Sequence, residues 1–121
     1  MRILVAAVLC AMTATPFAAL AQAVGSADFW LKSDPKNIQG CIGADSQFTR
    51  KHTLTVQNGQ ARLTSPGGIN TTLKPVRPDV YRESFVLGQY NLTVVADLAA
   101  NPKSLTVTDN NLGCRWSAVK Q

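Results

Sequence analysis

The chain has 121 residues and carries 12 lysines and arginines against 7 aspartates and glutamates, a net charge of +5 at pH 7. A chain of this length holds one domain, and a single histidine with no Cys-x-x-Cys spacing gives no indication of a zinc site. The basic surplus favours anionic partners, although it also keeps a small domain soluble. Because no aromatic residues interleave with the positive charges, nucleic acid is not an expected partner.

The first 21 residues predict a secretory signal peptide. One positive charge precedes an apolar run over 3–14, and Ala19-Leu20-Ala21 places small residues at the two positions that a signal peptidase reads. We therefore expect cleavage before Gln22, which leaves 22–121 as a single β domain. The apolar run is too short to cross a bilayer, so the chain is not expected to span a membrane. The alanine-rich signal is typical of export in Gram-negative bacteria and predicts a periplasmic or secreted protein.

The cysteines predict one disulfide bond. Cys10 lies in the signal peptide and is removed with it, which leaves Cys41 and Cys114 as an even pair in an oxidising compartment. They stand 73 positions apart, and closing a loop of that length is worth about 4 kcal/mol in the chain-entropy model. A redox-active or metal-bound pair is the alternative, but the spacing is not Cys-x-x-Cys.

Alternating apolar and polar residues, with many threonines and valines, predict strands throughout the domain. The first strand is expected over 27–32, and Ser33-Asp34-Pro35 ends it. We expect Trp30 to pack with Trp116 of the last strand at the seam of a closed sheet. The alternative is an exposed aromatic anchor for a partner, at Phe29 or Trp30.

The strongest hairpin signal is Asn58-Gly59, which joins predicted strands over 50–57 and 60–65. A type I′ turn needs positive φ at both central residues, and Asn-Gly adopts it readily. A two-residue loop gives the pairs Val56–Ala61, Leu54–Leu63, Thr55–Arg62 and Thr53–Thr64. The apolar pairs then share one face and the polar pairs the other, as the correct register of a half-buried hairpin requires.

A further strand is predicted over 69–74, and Pro75-Val76-Arg77-Pro78 should break its ladder because proline has no N–H to donate. The second hairpin joins 80–87 to 90–98 through Gly88-Gln89, since a leading glycine suits a type II′ turn. Its predicted pairs are Leu87–Tyr90, Phe85–Leu92, Glu83–Val94 and Tyr81–Ala96.

The third hairpin is predicted from 104–109 and 112–119 around Asn110-Asn111, although Gly113 could move the loop by one residue. Its predicted pairs are Val107–Cys114, Leu105–Trp116 and Thr106–Arg115. About eight short strands joined mostly by tight turns predict an all-β fold, an antiparallel meander closed into a small barrel or flattened into a sandwich. The barrel is preferred because closure removes open strand edges. The disulfide would then tie the loop after the first strand to the last strand, near the closure.

One candidate ligand pocket follows from the second hairpin. Strand parity turns Glu83 inward with Tyr81 and Phe85, and Tyr90 lies on the returning strand. A buried carboxylate could bind a cationic or hydroxylated ligand inside the barrel. The alternative is a carboxylate at the barrel mouth, or one held by a tyrosine or arginine, or turned outward by a bulge.

A candidate anion-binding face follows from arginines on the outer side of the hairpins. Arg62, Arg82 and Arg115 would form a basic stripe if their strands were neighbours, and Lys74 and Arg77 would extend it. Solvent-facing arginines are also ordinary on a soluble sheet. The single histidine, His52, is expected to be exposed or half-buried on its strand, since neither metal ligands nor a nucleophile motif accompany it.

The sequence shows no set of residues typical of a catalytic site and implies no cofactor, so we do not expect an enzyme. The first hypothesis is an exported binding module that recognises a protein or cell-envelope component through loops or one sheet face. The second is a carrier of a small apolar ligand in a barrel pocket. The third is an envelope factor that binds anionic lipid or polysaccharide through the arginine-rich face.

Overall fold

A computed structural model describes residues 24–120 of the protein, and the predicted signal peptide lies outside the described residues. The described chain forms nine strands, one short α-helix and one turn of 3-10 helix. The strands are β1 (Val24–Trp30), β2 (Lys32–Ser33), β3 (Lys51–Gln57), β4 (Gln60–Thr64), β5 (Asn70–Arg77), β6 (Val80–Leu87), β7 (Tyr90–Asp97), β8 (Ser104–Asp109) and β9 (Arg115–Val119). The helix, α1, spans Ile42–Phe48 and follows the 3-10 turn at Gln39–Cys41.

The strands form one antiparallel sheet in the order β1-β3-β4-β5-β6-β7-β8-β9-β2. From β3 to β9 each strand therefore pairs with its neighbour in the sequence, which confirms the predicted meander. The first hairpin has the predicted register, and Asn58 and Gly59 both have positive φ, 55° and 77°, as a type I′ turn requires. The second hairpin also has the predicted register across its whole length.

The sheet is a nearly closed barrel because β1 and β2 are consecutive parts of one extended run, separated only by Leu31. β1 pairs with β3 at one edge of the sheet, and β2 pairs with β9 at the other edge. The amino-terminal run therefore crosses from one edge to the other and joins them. This confirms the barrel rather than the flattened sandwich.

The prolines after residue 74 do not end β5. The strand continues to Arg77 and pairs with β6, with Pro75 opposite Tyr81 and a register shift between Pro75 and Arg77. A proline is tolerated here because the irregularity at the bulge removes the need for a regular donor. The two-residue turn that follows, Pro78-Asp79, has φ of 62° at Asp79, so β5 and β6 form a hairpin that the sequence analysis missed.

The register predicted for the third hairpin is wrong by two residues. Val107 lies opposite Trp116 rather than Cys114, because the loop contains four residues, Asn110 to Gly113, instead of two. Gly113 has a φ of 77° and donates its N–H to the carbonyl of Asp109 at 2.8 Å, which closes this longer loop. A shift of two residues keeps every side chain on its predicted face, so the core is unaffected.

The predicted disulfide between Cys41 and Cys114 is present, with the two Cα atoms 5.8 Å apart. It joins the start of α1 to the residue just before β9, close to the β2–β9 pairing. Helix α1 was not predicted, because seven residues with two buried side chains, Ala44 and Phe48, show no sustained helical period. The helix is attached by Phe48, whose ring centroid lies 4.5 Å from that of Trp116, and by Asp45 Oδ1, which accepts a 2.8 Å hydrogen bond from Trp116 Nε1.

Inward-facing side chains of all the long strands fill the barrel with one continuous apolar cluster. Its largest fully buried members are Trp116, Phe29, Leu31, Leu54 and Leu92. Small barrels are normally filled by side chains in this way.

Candidate functional site

The residues of the predicted barrel pocket lie against the core. Tyr81 is buried, and Phe85 and Tyr90 are partly buried and pack on the core cluster. Glu83 shares their face of β6 but remains about one-third exposed, and its Oε1 lies 3.9 Å from Nζ of Lys74. None of these four residues lines the large groove at the barrel seam, so the ligand pocket stays a prediction.

Three residues of the predicted basic face come together on neighbouring strands. Arg62 of β4 lies opposite Thr72 of β5, and Lys74, two residues further along β5, lies directly opposite Arg82 of β6. Directly paired residues of antiparallel strands share a face, so Arg62, Lys74 and Arg82 form an exposed basic strip. Arg115 is not part of it, because β7, β8 and β9 follow β6 in the sheet.

Arg77 is also exposed but lies beyond the bulge, opposite Val80 at the turn. It therefore extends the basic strip toward one end of the barrel rather than across the sheet.

His52 is buried, at 2% exposure, which corrects the expectation of an exposed or half-buried side chain. It lies opposite Phe29 in the β1–β3 pairing, and its Nδ1 is 3.0 Å from the carbonyl oxygen of Arg50. Burial lowers the pKa of His52 below its usual value, and the charge of Arg50 lowers it further, against the raising effect of the backbone hydrogen bond. Its partner is a structural carbonyl, so we assign it to packing rather than to chemistry.

An open groove of about 1300 Å³ lies at the barrel seam, where β1 and β9 diverge. We call it the seam groove. One wall comes from β1 and β2 and the other from β8 and β9. Its lining residues are Ser26, Ala27, Asp28, Trp30, Lys32, Ser33, Asp34, Pro35, Lys51, Ser104, Thr106, Arg115, Ser117, Ala118, Val119 and Lys120.

The seam groove carries a positive charge. Four cationic side chains line it, against the carboxylates of Asp28 and Asp34. The cationic residues are Lys32, Lys51, Arg115 and Lys120. Asp28 Oδ1 accepts a hydrogen bond from Thr53 Oγ1 at 2.9 Å, and Asp34 Oδ1 accepts one from the backbone N–H of Lys36 at 2.8 Å. Both carboxylates therefore already have partners, whereas the four cations have no ion pair within the described residues.

A hydrogen-bonded loop holds one end of the seam groove in place. The carbonyl of Arg115 accepts from the backbone N–H of Asp34 at 3.0 Å and from Asn37 Nδ2 at 2.9 Å. The N–H of Arg115 in turn donates to Asn37 Oδ1 at 2.8 Å. This reciprocal pairing fixes the start of β9 against the segment after β2, so the groove has one rigid end.

Trp30 is the most exposed aromatic feature of the seam groove, with 63% of its surface accessible. The expected packing of Trp30 on Trp116 is therefore wrong, since Trp116 is fully buried. Phe29 is also fully buried, so of the two alternative aromatic anchors only Trp30 is exposed. The reason is parity, because Ala27, Phe29 and Leu31 face the core and their neighbours face outward.

Sequence reasoning missed Lys32, Lys51 and Lys120 as members of one site. A partial signal was present, because residues 28, 30 and 32 share a face in any extended strand. Lys51 and Lys120 gave no such signal, since they join Trp30 only through the β1–β3 pairing, where Lys51 lies directly opposite Trp30, and through barrel closure.

Within residues 24–120, no group of three or more His, Cys, Asp or Glu side chains is arranged to hold a metal ion. No helix in that range has the length and apolar character needed to cross a membrane. Comparison of the chain with protein-family models, curated proteins and solved structures found no match.

Proposed function

We propose that the protein is an exported, non-enzymatic binding module that recognises a protein or another cell-envelope component at the seam groove. The observation that carries the proposal is Trp30, which is 63% exposed on the wall of a cationic groove. Tryptophan and arginine are enriched among the residues that dominate binding energy at protein interfaces. Trp30 and Arg115 both line the groove, so the residues best suited to anchor a partner lie in one place.

The location of the protein is part of the same proposal. A predicted signal peptide and a structural disulfide both favour a periplasmic or secreted protein, because disulfides persist in oxidising compartments. A stapled barrel with a filled core is a rigid support for a surface site, and a rigid support lowers the entropy cost of binding.

The proposal is tested by retention on immobilised protein. Wild-type protein purified after export, and a Trp30→Ser variant, are exposed to periplasmic extract and to solubilised envelope material from the producing organism. We expect the wild type to retain a specific component at micromolar concentration, and Trp30→Ser to bind the purified component about tenfold more weakly or worse.

The matched control is Val86→Ser, which removes another exposed apolar side chain, 73% accessible, from the outer face of β6. It should bind the same component as tightly as the wild type. Equal loss in both variants, or no retained component at all, would contradict binding at the seam groove.

A second candidate function is supported by the basic strip. Arg62, Lys74 and Arg82 lie on three adjacent strands, so they could bind the anionic groups of lipid or polysaccharide together. In that case the protein would be an envelope factor that binds anionic lipid or polysaccharide.

The second candidate is tested with vesicles that contain anionic lipid, over a range of salt concentrations. We expect binding that weakens steeply as salt increases, and weakens further in the double variant Arg62→Gln/Arg82→Gln. The control is Lys103→Gln, which removes one exposed positive charge elsewhere. Binding that ignores salt would exclude this mode.

A further inference from the structure

The two walls of the seam groove are strand edges, and hydrogen-bond alternation shows which backbone groups they present. Leu31 donates its N–H to the carbonyl of Arg50 at 3.2 Å, so Leu31 and Arg50 form a hydrogen-bonded pair at the end of the β1–β3 ladder. In an antiparallel ladder every second residue points its backbone groups at the partner strand. The N–H and C=O groups of Ser26, Asp28 and Trp30 therefore point away from β3, toward the groove that these residues line.

The same alternation applies to the opposite wall. Asp34 donates to the carbonyl of Arg115, and Lys32 is paired with Ser117, so residues 115, 117 and 119 of β9 point their backbone groups toward β2. The next pair in that ladder would be Trp30 with Val119. The β2–β9 register stops at Lys32 and Ser117, so within residues 24–120 this pair is not formed.

Among residues 24–120, the barrel is thus open along one line, with unpaired strand groups on both sides of it. From Ser26 to Trp30 the edge of β1 is about 14 Å long at the usual rise of an extended chain. Such an edge is a template for an added strand, because it offers alternating donors and acceptors at strand spacing. The groove between the edges is open to solvent.

Charge indicates the chemistry of the strand that would fit. The groove lining has four cations against two carboxylates, so its net charge is positive. A second copy of this chain would bring its own positive charge to a positive site, since the chain carries +5. An acidic segment is attracted instead, and the exposed ring of Trp30 can cover one of its side chains.

We propose that an extended acidic segment of a partner protein binds in the seam groove by adding a strand to the free edge of β1. This inference rests on the proposed function and narrows it to a mode of recognition. Main-chain hydrogen bonds to Ser26, Asp28 and Trp30 would fix the register of the added strand. The cations that line the seam groove would favour acidic side chains in that strand.

The probe is a synthetic peptide of alternating glutamate and valine, titrated into ¹⁵N-labelled protein purified after export. We expect micromolar binding, with shifts and slowed hydrogen exchange at the amides of Ser26, Asp28 and Trp30. The same peptide with alternate backbone nitrogens methylated keeps its charge but loses strand pairing, and it should bind about tenfold more weakly. Equal binding of both peptides, or shifts confined to the basic strip, would overturn strand addition.

A protein variant gives a second measurement. Ser26→Pro removes one backbone N–H donor of the edge that β3 does not use, so it should leave the fold intact while weakening peptide binding. Ser26→Ala keeps that N–H and should bind the peptide like the wild type. Sedimentation tests whether a second copy of the chain occupies the groove instead. If the wild type forms a dimer and Ser26→Pro abolishes it, the proposed binding of an acidic segment is overturned in favour of a second copy. If the envelope component binds through Trp30 but the peptides do not, strand addition fails while the binding function stands.

Discussion

His52 and Asp109 are the buried polar side chains of the described chain, and each is explained by the backbone around it. His52 contacts the carbonyl of Arg50, and Asp109 accepts hydrogen bonds from backbone N–H groups. Their positions follow strand parity, since His52 shares the inward face of β3 with Leu54, and Asp109 shares that of β8 with Val107. The parity of β3 therefore places His52 inward, whereas the expectation of an exposed or half-buried histidine rested on the lack of metal ligands and of a nucleophile motif around it.

The lowered pKa of His52 makes stability depend on pH. In the folded protein the pKa lies below the usual 6.5, so on acidification the unfolded chain takes up its proton first. The free energy of unfolding should therefore be unaffected by His52 well above pH 6.5. It should fall as the pH drops below that value, by at most about 1.4 kcal/mol per pH unit.

Urea unfolding at several pH values between 5 and 8 measures this effect when wild type is compared with His52→Gln. The variant lacks the titrating group and should lose less stability on acidification. Parallel curves for the two proteins would show that His52 does not titrate differently in the folded and unfolded states.

At the scale of elements, the hairpins were predictable where the turn chemistry is local. Asn58-Gly59 and Gly88-Gln89 specify two-residue loops, and both registers were correct. The register at the β8–β9 loop was predicted wrongly, because the loop is closed by side-chain bonding: the buried carboxylate of Asp109 accepts from the backbone N–H groups of Asn111 and Leu112. Helix α1 was missed for a related reason, since it is short and is stabilised by tertiary contacts to Trp116 rather than by a helical pattern in its sequence.

Asp109→Asn should destabilise the protein by about 2 kcal/mol, because the carboxylate accepts from the N–H groups of Asn91 at 2.9 Å and Leu112 at 3.0 Å on different oxygens. The amide would turn an NH₂ group toward one of these donors. Chemical denaturation measures the loss, and amide exchange should locate it in the β8–β9 loop. Asp79→Asn is the control, as an exposed aspartate at positive φ, and should change stability by less than about 0.5 kcal/mol. Similar losses in both variants would contradict the bonding role of Asp109.

At the scale of the whole molecule, the disulfide pairing and the barrel could be predicted, but the seam groove could not. Closure depends on the run from Val24 to Ser33 dividing its pairing between β3 and β9, with the change at Leu31. The alternation of apolar and polar residues in that run does not indicate where its pairing changes from β3 to β9. Lys51 and Lys120 become neighbours of Trp30 only as a result of that division.

The disulfide supports this closure, and its loss should cost about 4 kcal/mol or somewhat less. The double variant Cys41→Ser/Cys114→Ser tests this by urea unfolding against the oxidised wild type. Reduced wild type is the control, because it lacks the cross-link without carrying buried serines. If reduced wild type is as stable as the oxidised protein, the link does not stabilise the barrel.

The two tryptophans lie in opposite surroundings, and this gives the protein an internal pair of optical probes. Trp116 is fully buried beside Phe48, so its fluorescence should be blue-shifted and shielded from acrylamide. Trp30 is mostly in water, so its emission should be red-shifted and readily quenched. Loss of the quenchable component then reports that a ligand has covered the groove, and a red shift of the shielded component reports that the barrel has opened.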